Sequence, residues 1–421
     1  MSMFALASWG ALIVVVALAA TRSRAYAAFR GIQLTLHTLM ATAVFARFQA
    51  VWPLFLYLHV LVYLQALVLV RPRMRPWWYR ALVSVPASFF SAGTILAMPW
   101  ALVHAFGFEL PWVWLPYLLA LIGVVQSLWL REEHVHVVVA DSHVVDGAPT
   151  ANANSELKRH PLGTARVARP LNLVQITDPH LGPFMSVERL REICESAVRR
   201  NPDLILLTGD FLTMESQADP RWLAQALEPL RGLPGRVFAC FGNHDHEAPH
   251  IVRNALSNAG VRLLMDESTV VATEAGPVQI VGADFAFRER ARHLTELCRA
   301  HPREPGAFRL LLLHDPLMFK HLPEGEADLV LSGHTHGGQV GLVSLGLPWT
   351  MMRLFVKAPD HGLWARGSDR LYVHRGTGHY GFPLRLGVPG ENSLLSVHAP
   401  RFAAWGNRSA NDPEPELAPA E

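Results

Sequence analysis

Apolar residues are distributed unevenly along the chain: long runs fill the first third, and short runs separated by polar segments fill the rest. Residues 1–130 contain no Lys, no Asp and a single Glu, Glu109. A helix that crosses a membrane needs about 20 mostly apolar residues. Four stretches have this character: 3–20, 51–70, 81–106 and 111–130. A fifth, 31–46, is shorter and includes Gln33 and His37. The pattern predicts an α-helical membrane domain of four or five helices over residues 1–131.

The arginines between these stretches predict the orientation, because cytoplasmic loops carry an excess of Lys and Arg. With five spans, one side holds Arg22, Arg24, Arg30, Arg71, Arg73, Arg75, Arg80 and Arg131. The other side holds only Arg47. With four spans most of this bias disappears, so we favour five spans with the N-terminus outside. In both arrangements the last two stretches form a hairpin, so the loop at 71–80 and the chain after Arg131 share one side, predicted to be cytoplasmic.

The apolar third is predicted to anchor the protein in the membrane as an integral, multi-pass domain. No Asp, Glu, Lys or Arg falls within the predicted spans, whereas such residues mark the pathways of transporters. A transporter is therefore disfavoured. A cleaved signal peptide is disfavoured for residues 3–20, because further spans follow.

The remainder of the chain has the pattern of an α/β domain. Alternating residues at 132–139 predict a first strand, and residues up to 170 form a polar, Pro-containing linker. Residues 171–403 then alternate short apolar runs with amphipathic helical patterns, as in sheets covered by helices on both faces. The polar, Pro-rich tail at 404–421 is predicted to be disordered.

Bulk composition excludes some function classes. The net charge of +2 gives no electrostatic basis for nucleic-acid binding. Cys194, Cys240 and Cys298 are odd in number and far apart, which argues against a disulfide framework and favours a reducing compartment. The oligomeric state is left open by the sequence. Histidine is abundant, at 21 residues, and many of these lie in short motifs.

Five of the apolar runs end in oxygen and nitrogen ligands. The endings are Asp178-Pro-His180, Gly209-Asp210, Gly242-Asn243-His244-Asp245, His314-Asp315 and Gly333-His334-Thr335-His336. In open α/β folds, ligands bind beyond the carboxyl ends of strands. A single Asp or Asn in such a place is usually a cap or turn residue. Five endings of this composition predict one shared site at a sheet edge.

The order D-x-H, G-D, G-N-H-D, H and G-H-T-H resembles the signature of the calcineurin-like metallophosphoesterases. The strings ITDPHLGP and SGHTHGGQV are similar to a branch that includes transmembrane proteins with a C-terminal metallophosphoesterase domain. The resemblance implies a fold of two packed mixed β-sheets flanked by helices. One departure is Pro389-Gly390-Glu391-Asn392, where the family often has Pro-Glu-hydrophobic.

The resemblance also implies the roles of the site residues. One metal ion would be bound by Asp178, His180 and His336, and the other by Asn243, His314 and His334. Asp210 would bridge the two ions, and a bridging hydroxide would attack phosphorus. His244 would meet the leaving or a phosphate oxygen, and Asp245 would orient His244 or a neighbouring ligand. Mixed oxygen and nitrogen ligands suit two divalent ions of manganese, iron, zinc or cobalt.

The predicted activity is hydrolysis of a phosphodiester or pyrophosphate bond near the membrane. The predicted substrate is a phosphate ester. A lipid-linked phosphate, a soluble nucleotide and a phosphoprotein are the candidates. Membrane lipids are predicted as further partners. A phosphomonoesterase is the alternative, because it would use the same metal pair. A non-catalytic scaffold is the remote alternative, since every ligand position is filled.

Several other residues have more than one interpretation. His246, His250, His374 and His379 are expected to have solvated or structural roles rather than to contact substrate. Arg375 and Arg385 either hold a second phosphate or lie on the surface. The apolar segment 342–355, with Trp349, either packs in the core, lies against the bilayer or accepts an acyl chain.

Overall fold

The computed structural model describes residues 2–71, 73–139, 157–160, 167 and 169–402. Most of the predicted linker and the predicted tail at 404–421 lie outside these residues, and the predicted domain limits stay predictions. Most of the described residues of the apolar third are helical, with non-helical connections before Trp77 and before Leu115. Its helices are α1 (Met3–Arg22), α2 (Arg24–Val44), α3 (Trp52–Val68), α4 (Trp77–Leu96), α5 (Met98–Ala105) and α6 (Leu115–Ser127).

Two segments in the described chain are long and apolar enough to cross a membrane, Met3–Arg22 and Tyr26–Val68. A third results if α4 and α5, bent by 43° relative to each other, are counted as one span. The second segment folds back on itself, because Tyr26 donates to the Ala66 carbonyl (3.0 Å) and His37 contacts His59 (3.2 Å). Its two arms, α2 and α3, are therefore antiparallel and meet at a break near Phe48.

The outer surface of this bundle is apolar. Ile13 on α1, Ile32 on α2 and Leu54 on α3 are all more than half exposed. A soluble protein rarely exposes so many large apolar side chains together. Phe55, Phe90 and their neighbours fill the interior of the bundle. The exposed apolar surface is what a lipid environment would cover.

Helix α6 is shorter than the span predicted at 111–130. Its 13 residues rise only about 20 Å, against about 30 Å of hydrocarbon in a bilayer. The chain becomes a β-strand at Leu130, directly after the helix. The Ser127 hydroxyl also accepts a hydrogen bond from the Arg385 backbone N–H (2.8 Å). The end of α6 is thus docked on the second half of the chain.

Two mixed sheets form the second half, which confirms the predicted fold class. The first sheet has the strand order β1-β13-β3-β4-β5-β6, and the second β2-β11-β12-β10-β9-β8-β7. The strand predicted at 132–139 is β1 (Leu130–Val138), paired in parallel with β13 (Gly390–His398). The other strands are β2 (Lys158–Arg159), β3 (Leu171–Ile176), β4 (Leu204–Leu207), β5 (Val237–Ala239), β6 (Arg262–Leu263), β7 (Glu267–Thr273), β8 (Gly276–Gly282), β9 (Phe308–Leu312), β10 (Leu329–Ser332), β11 (Gly362–Arg366) and β12 (Asp369–Val373).

Alternation along the strands divides the core into layers, because successive side chains point to opposite faces. Leu171 and Leu173 of β3 pack between the two sheets. Val174 and Ile176 of the same strand pack outward, under the helices. These helices are α7 (Val187–Arg199), α8 (Pro220–Leu227) and α9 (Pro249–Asn258), while α10 (Arg290–Ala300) covers the second sheet.

Candidate metal centre and active site

The predicted site residues follow strands that end at one edge of the two-sheet core. β3, β4 and β5 run in parallel in the first sheet, and β9 and β10 run in parallel in the second. Backbone hydrogen bonds join the loops that follow them: the Asp178 N–H donates to Gly209 (3.0 Å), and the Gly333 N–H donates to His314 (3.0 Å). Topology therefore gathers residues that lie up to 158 positions apart in the chain.

Backbone conformation is unusual at this edge. Asp178, His180, Asp210, His334 and His336 all have positive φ, between 46° and 67°. Such values are uncommon for residues other than glycine, and they cost free energy that the surrounding structure must supply. Their concentration at five of the predicted ligands is typical of a functional site.

The first group of ligand atoms is buried. Asp178, His180 and His336 present atoms that all lie within 4.8 Å of one another. Asp178 Oδ1 is 3.9 Å from His180 Nε2 and 3.6 Å from His336 Nε2. These distances leave room for a cation between the carboxylate and the two rings.

The second group lies beside the first. Asp210, His314 and His334 also bring their ligand atoms within 4.8 Å of one another. Asp210 Oδ2 is 3.2 Å from His314 Nε2 in its own group. It is also 3.6 Å from His180 Nε2 of the first group. The carboxylate of Asp210 therefore faces both groups.

Several buried polar atoms at this edge have no hydrogen-bond partner among the described residues. They include Asn243 Oδ1 and His180 Nε2. Leaving such atoms unpaired away from water costs about 1–3 kcal/mol each. Meanwhile, the opposite ring nitrogen of His180 donates to the Leu212 carbonyl (3.3 Å), and that of His314 donates to the Thr208 carbonyl (2.6 Å). Metal-binding histidines are commonly oriented in this way, so the residues present fit a metal site.

Charge at the site favours a cation. Burial lowers the pKa of His180 to about 3, so its ring is neutral and can act as a ligand. Burial raises the pKa of Asp178 to about 6. Burial opposes ionisation of Asp210 too, but the adjacent His314 holds the pKa of that carboxyl well below its usual value. A divalent ion would compensate these buried carboxylates more completely than protons do.

The side chain of Asp245 forms hydrogen bonds with the backbone. Its two carboxylate oxygens accept hydrogen bonds from the N–H groups of Asp210 (2.8 Å), Phe211 (2.9 Å) and Gly242 (2.8 Å). Three such bonds fix the turn that carries Asp210. Of the two expectations for Asp245, the structure favours the orientation of a neighbouring ligand.

His244 stands at the mouth of the site. The backbone N–H of His244 donates to Asp210 Oδ1 (2.8 Å), and the ring Nδ1 contacts Glu247 Oε1 (2.7 Å). Burial opposes protonation, but the bond to Glu247 and the charge of Asp210 raise the pKa of His244. The ring of Tyr380 lies 4.9 Å from that of His244 and 5.1 Å from that of His180.

Sequence reasoning missed Glu247 and Tyr380. The carboxyl of Glu247 lies three residues after His244, a spacing that suits contact within a helical turn. That signal was available in the sequence. Tyr380 follows β12 through an irregular loop, and no local pattern connects it with His180. Its position could be known only from the tertiary structure.

The two arginines suspected of phosphate binding are buried and bonded to protein groups, so neither is a surface residue. Arg385 is fully buried and donates to the carbonyls of His336 (3.0 Å) and Arg375 (2.6 Å). Arg375 pairs with Glu133 (2.6 Å) and lies beside Glu391. Burial opposes ionisation of Glu391, but His374 and Arg375 lower its pKa to about 2. The unusual Pro-Gly-Glu-Asn segment thus supplies a buried carboxylate that holds the loop after β12.

The remaining histidines have varied surroundings. His374 is buried and accepts a hydrogen bond from the Gly376 N–H (3.0 Å). His246 contacts Asp284 (2.9 Å), and His250 is exposed. His379 packs against Phe184, with ring centroids 4.7 Å apart. These contacts agree with structural or solvated roles.

Comparison with known proteins gives a consistent result. The family model described as calcineurin-like phosphoesterase matches residues 171–338. Phosphodiesterase YaeI of Escherichia coli is 31% identical over 248 residues, which cover 58% of this chain and 88% of that protein. An uncharacterised metallophosphoesterase of Campylobacter jejuni is 26% identical over 316 residues, covering 72% of this chain and 81% of that one.

A further relative is named for both a membrane part and a metallophosphoesterase domain. A Danio rerio protein named as a transmembrane protein with metallophosphoesterase domain is 29% identical over 236 residues, 52% of this chain and 52% of its own length. The family match and the 31% identity to YaeI assign the second half of the chain to one family. The protein belongs to the calcineurin-like phosphoesterase family.

Proposed function

We propose that the protein is a membrane-anchored phosphodiesterase with two divalent metal ions. The observation that carries this proposal is the position of Asp210, whose Oδ2 lies 3.6 Å from His180 Nε2 and 3.2 Å from His314 Nε2. A carboxylate between two ligand groups is what a metal pair requires, because such pairs are spaced about 3.5–4 Å apart.

The proposed ligand sets follow the two groups. Asp178, His180 and His336 would hold one ion, and Asn243, His314 and His334 the other, with Asp210 shared. Asn243 is assigned because its buried Oδ1 has no partner among the described residues. The oxygen and nitrogen donors suit manganese, iron, zinc or cobalt; manganese is the first to test. When bound, two such ions supply the nucleophile at neutral pH and neutralise the phosphoryl oxygens.

His244 is proposed to protonate the leaving oxygen. Its Nδ1 is engaged with Glu247 (2.7 Å), which leaves Nε2 for the substrate. Glu247 in turn accepts from Gln217 (2.7 Å) and is held in place. General acid catalysis of this kind contributes about 10²–10⁴-fold. Asp245 would act indirectly, by fixing the turn of Asp210.

The apolar helices are proposed to cross the membrane several times, with the catalytic domain in the cytoplasm. Arg22, at the end of α1, donates to Gln217 of the catalytic domain (3.2 Å). Arg47 pairs with Glu109 at the opposite end of the bundle. The arginine-rich end is therefore the end that touches the catalytic domain, which supports the predicted orientation.

A lipid-linked phosphodiester or pyrophosphate is the proposed substrate class. The apolar segment 342–355 supports this choice, because Leu345 is 74% exposed and Phe355 is 79% exposed. Trp349 is also partly exposed, so the segment is not core. Ser344 of the segment accepts a hydrogen bond from Gln126 at the end of α6 (3.2 Å), so the segment contacts the membrane helices at this point. We propose that the segment rests on the bilayer surface.

Turnover of chromogenic esters by the full-length protein in detergent tests the proposal. Manganese-dependent hydrolysis of bis-p-nitrophenyl phosphate that is lost in Asp210→Asn is the expected result. Hydrolysis of p-nitrophenyl phosphate alone would instead identify a phosphomonoesterase. A metal-loaded protein that turns over neither ester would contradict the proposal and favour the scaffold alternative.

A further inference from the structure

A cavity of about 130 Å³ lies between the membrane helices and the catalytic domain. Leu34 of α2, Val62 and Ala66 of α3 and Ala87 of α4 line it on the membrane side. Residues of the catalytic domain, among them His180 and Tyr380, line the opposite side. The cavity is therefore formed by both halves of the protein together.

The cavity borders the proposed metal centre. His180 belongs to the first ligand group and also lines the cavity. The ring of Tyr380 stacks on that of His180, at 5.1 Å and 20°, and its centroid is 6.4 Å from that of Phe29 on α2. Tyr380 thus lies between the metal centre and the membrane helices. A substrate with its phosphorus beside His180 would extend past Tyr380 into the cavity.

Polar groups line both sides of the cavity: Gln65 and Ser88 belong to the membrane helices, and Thr213 and Glu215 belong to the catalytic domain. Glu215 is 2% exposed and accepts from Gln65 Nε2 through Oε1 (3.1 Å). Its other carboxyl oxygen, Oε2, is buried without a partner in the described part of the chain. Arg30 lines the same region. Arg30 suits the anionic ester end of an amphiphilic ligand, and the apolar residues of the lining suit its chain.

The size of the cavity limits what it can hold. An engineered apolar cavity of about 150 Å³ binds benzene, which has six carbon atoms. A volume of about 130 Å³ therefore accommodates roughly the first five or six carbons of one alkyl chain. A longer chain would continue between the helices or into the surrounding lipid.

We propose that this cavity binds the ester-proximal part of an alkyl chain of an amphiphilic phosphodiester that enters from the bilayer. The inference rests on the proposed phosphodiesterase function and deepens it, because it names a subsite for the apolar part of the substrate. Cavity walls built from membrane helices make lipid the occupant with direct access. The catalytic domain alone does not enclose this space.

A series of p-nitrophenyl alkyl phosphodiesters, from methyl to decyl, tests the proposal on the full-length protein in detergent. Each methylene buried in an apolar site improves kcat/KM about fourfold. We expect this rise to continue to roughly six carbons and then to flatten. Val62→Phe should fill the cavity and abolish the rise, while turnover of the methyl ester stays unchanged.

A matched control lies on the same helix. Val60 is 52% exposed and Val62 is 5% exposed, so Val60→Phe adds the same group outside the cavity and should keep the chain-length dependence. Ser88→Phe is a second cavity variant at a half-buried position, and it decides the matter if Val62→Phe does not fold. Both substitutions are outside the proposed metal centre.

The outcomes separate the two proposals. If kcat/KM rises with chain length equally in wild type and in both cavity variants, the proposed chain subsite is overturned, while the proposed phosphodiesterase function still stands. If wild type does not hydrolyse even the methyl ester, the proposed function fails, and binding of hexyl methylphosphonate then tests the cavity. Weaker binding to Val62→Phe than to Val60→Phe would support the subsite, and equal binding would overturn it.

Discussion

Replacing Gly333 by alanine should displace the carboxylate of the proposed metal ligand Asp178 while leaving Asp178 itself unchanged. A Cβ atom at Gly333 would lie 2.1 Å from Asp178 Oδ2 and 2.3 Å from Thr177 Oγ1. Contacts below 3.0 Å are essentially never made by Cβ atoms, so the carboxylate must move by about 0.9 Å or more. Gly333 does not have a positive φ, and alanine can therefore adopt its backbone conformation.

The size of the effect follows from this displacement. Misplacement of a reacting or ligating group by about 1 Å can cost roughly 100-fold in rate. Loss of ligand orientation typically costs 10–100-fold in metal affinity, or about 1.4–2.7 kcal/mol. We therefore expect Gly333→Ala to lower kcat/KM for bis-p-nitrophenyl phosphate by about 100-fold, with partial recovery at high metal concentration.

The assay compares three proteins at matched metal concentrations: wild type, Gly333→Ala and Gly232→Ala. The control is suitable because a Cβ at Gly232 meets only Val198 Cγ1, at 3.1 Å. Metal content by mass spectrometry and thermal unfolding accompany the kinetics, so that loss of folding is distinguished from loss of a ligand. Folded Gly333→Ala with wild-type metal affinity and turnover would refute the assignment of Asp178.

Four other predictions concern catalysis, metal binding, stability and membrane contact. His244→Ala should lower kcat by about 10²–10⁴-fold for an alkyl leaving group and by much less for p-nitrophenolate, as stopped-time product assays would show; equal losses would argue against a proton-donating role. Removing metal with a chelator should lower Tm by roughly 8–16 °C, because a ligand at 1,000 times its Kd stabilises by about 4 kcal/mol, and an unchanged Tm would speak against a bound metal. Glu391→Gln should cost about 3 kcal/mol at pH 7, because it removes one of the two carboxylates beside the buried Arg375 and leaves only Glu133. Because the pKa of Glu391 in the folded protein is lowered to about 2, this stabilisation is complete above its unfolded pKa of about 4.3 and is lost as the pH falls toward 2. The difference in Tm between wild type and Glu391→Gln should therefore shrink over this pH range. A constant difference would contradict an ionised Glu391 in the folded protein. Leu354→Ser with Phe355→Ser should leave folding and turnover of the soluble diester unchanged but reduce hydrolysis of a vesicle-embedded diester, and unfolding of this variant would mean that the segment is core.

The ligand motifs could be predicted from sequence because each is a local feature. A buried strand followed by Asp, Asn or His identifies its own carboxyl end, and parallel pairing then brings such ends to one edge. Asp178, Asp210 and His334 were found in this way. The same argument predicts which residues lie close together but not their hydrogen-bond partners. For this reason the sequence left open whether Asp245 orients His244 or a neighbouring ligand, whereas in the structure it binds the backbone around Asp210.

The burial of charged residues was the least predictable feature. Arg385 and Arg375 looked available for phosphate, but each has a partner far away in the chain, His336 for Arg385 and Glu133 for Arg375. Arg385 donates to main-chain carbonyls (2.6–3.0 Å), and Arg375 pairs with Glu133 from β1. No local pattern encodes these contacts. The length of α6 was misjudged for a related reason: an apolar run does not reveal where a helix stops and a strand begins.

The position of β1 changes how the protein should be handled. Removing the chain before about residue 150 is the simplest way to separate the catalytic domain from the apolar helices. That cut deletes β1, which pairs with β13 over Leu130–Val138, and it also removes α6, docked through Ser127. Experiments on the full-length protein therefore test the active site in its own surroundings.

Counting metal ions in the full-length protein is the most direct test of the proposed two-metal site. The protein would be loaded with manganese, freed of excess ions and measured by mass spectrometry beside Asp210→Asn. We predict two ions per chain in wild type and at most one in Asp210→Asn, with loss of diester turnover in the variant. A folded wild-type protein that binds no divalent ion, or an Asp210→Asn variant that retains two ions and full turnover, would contradict it.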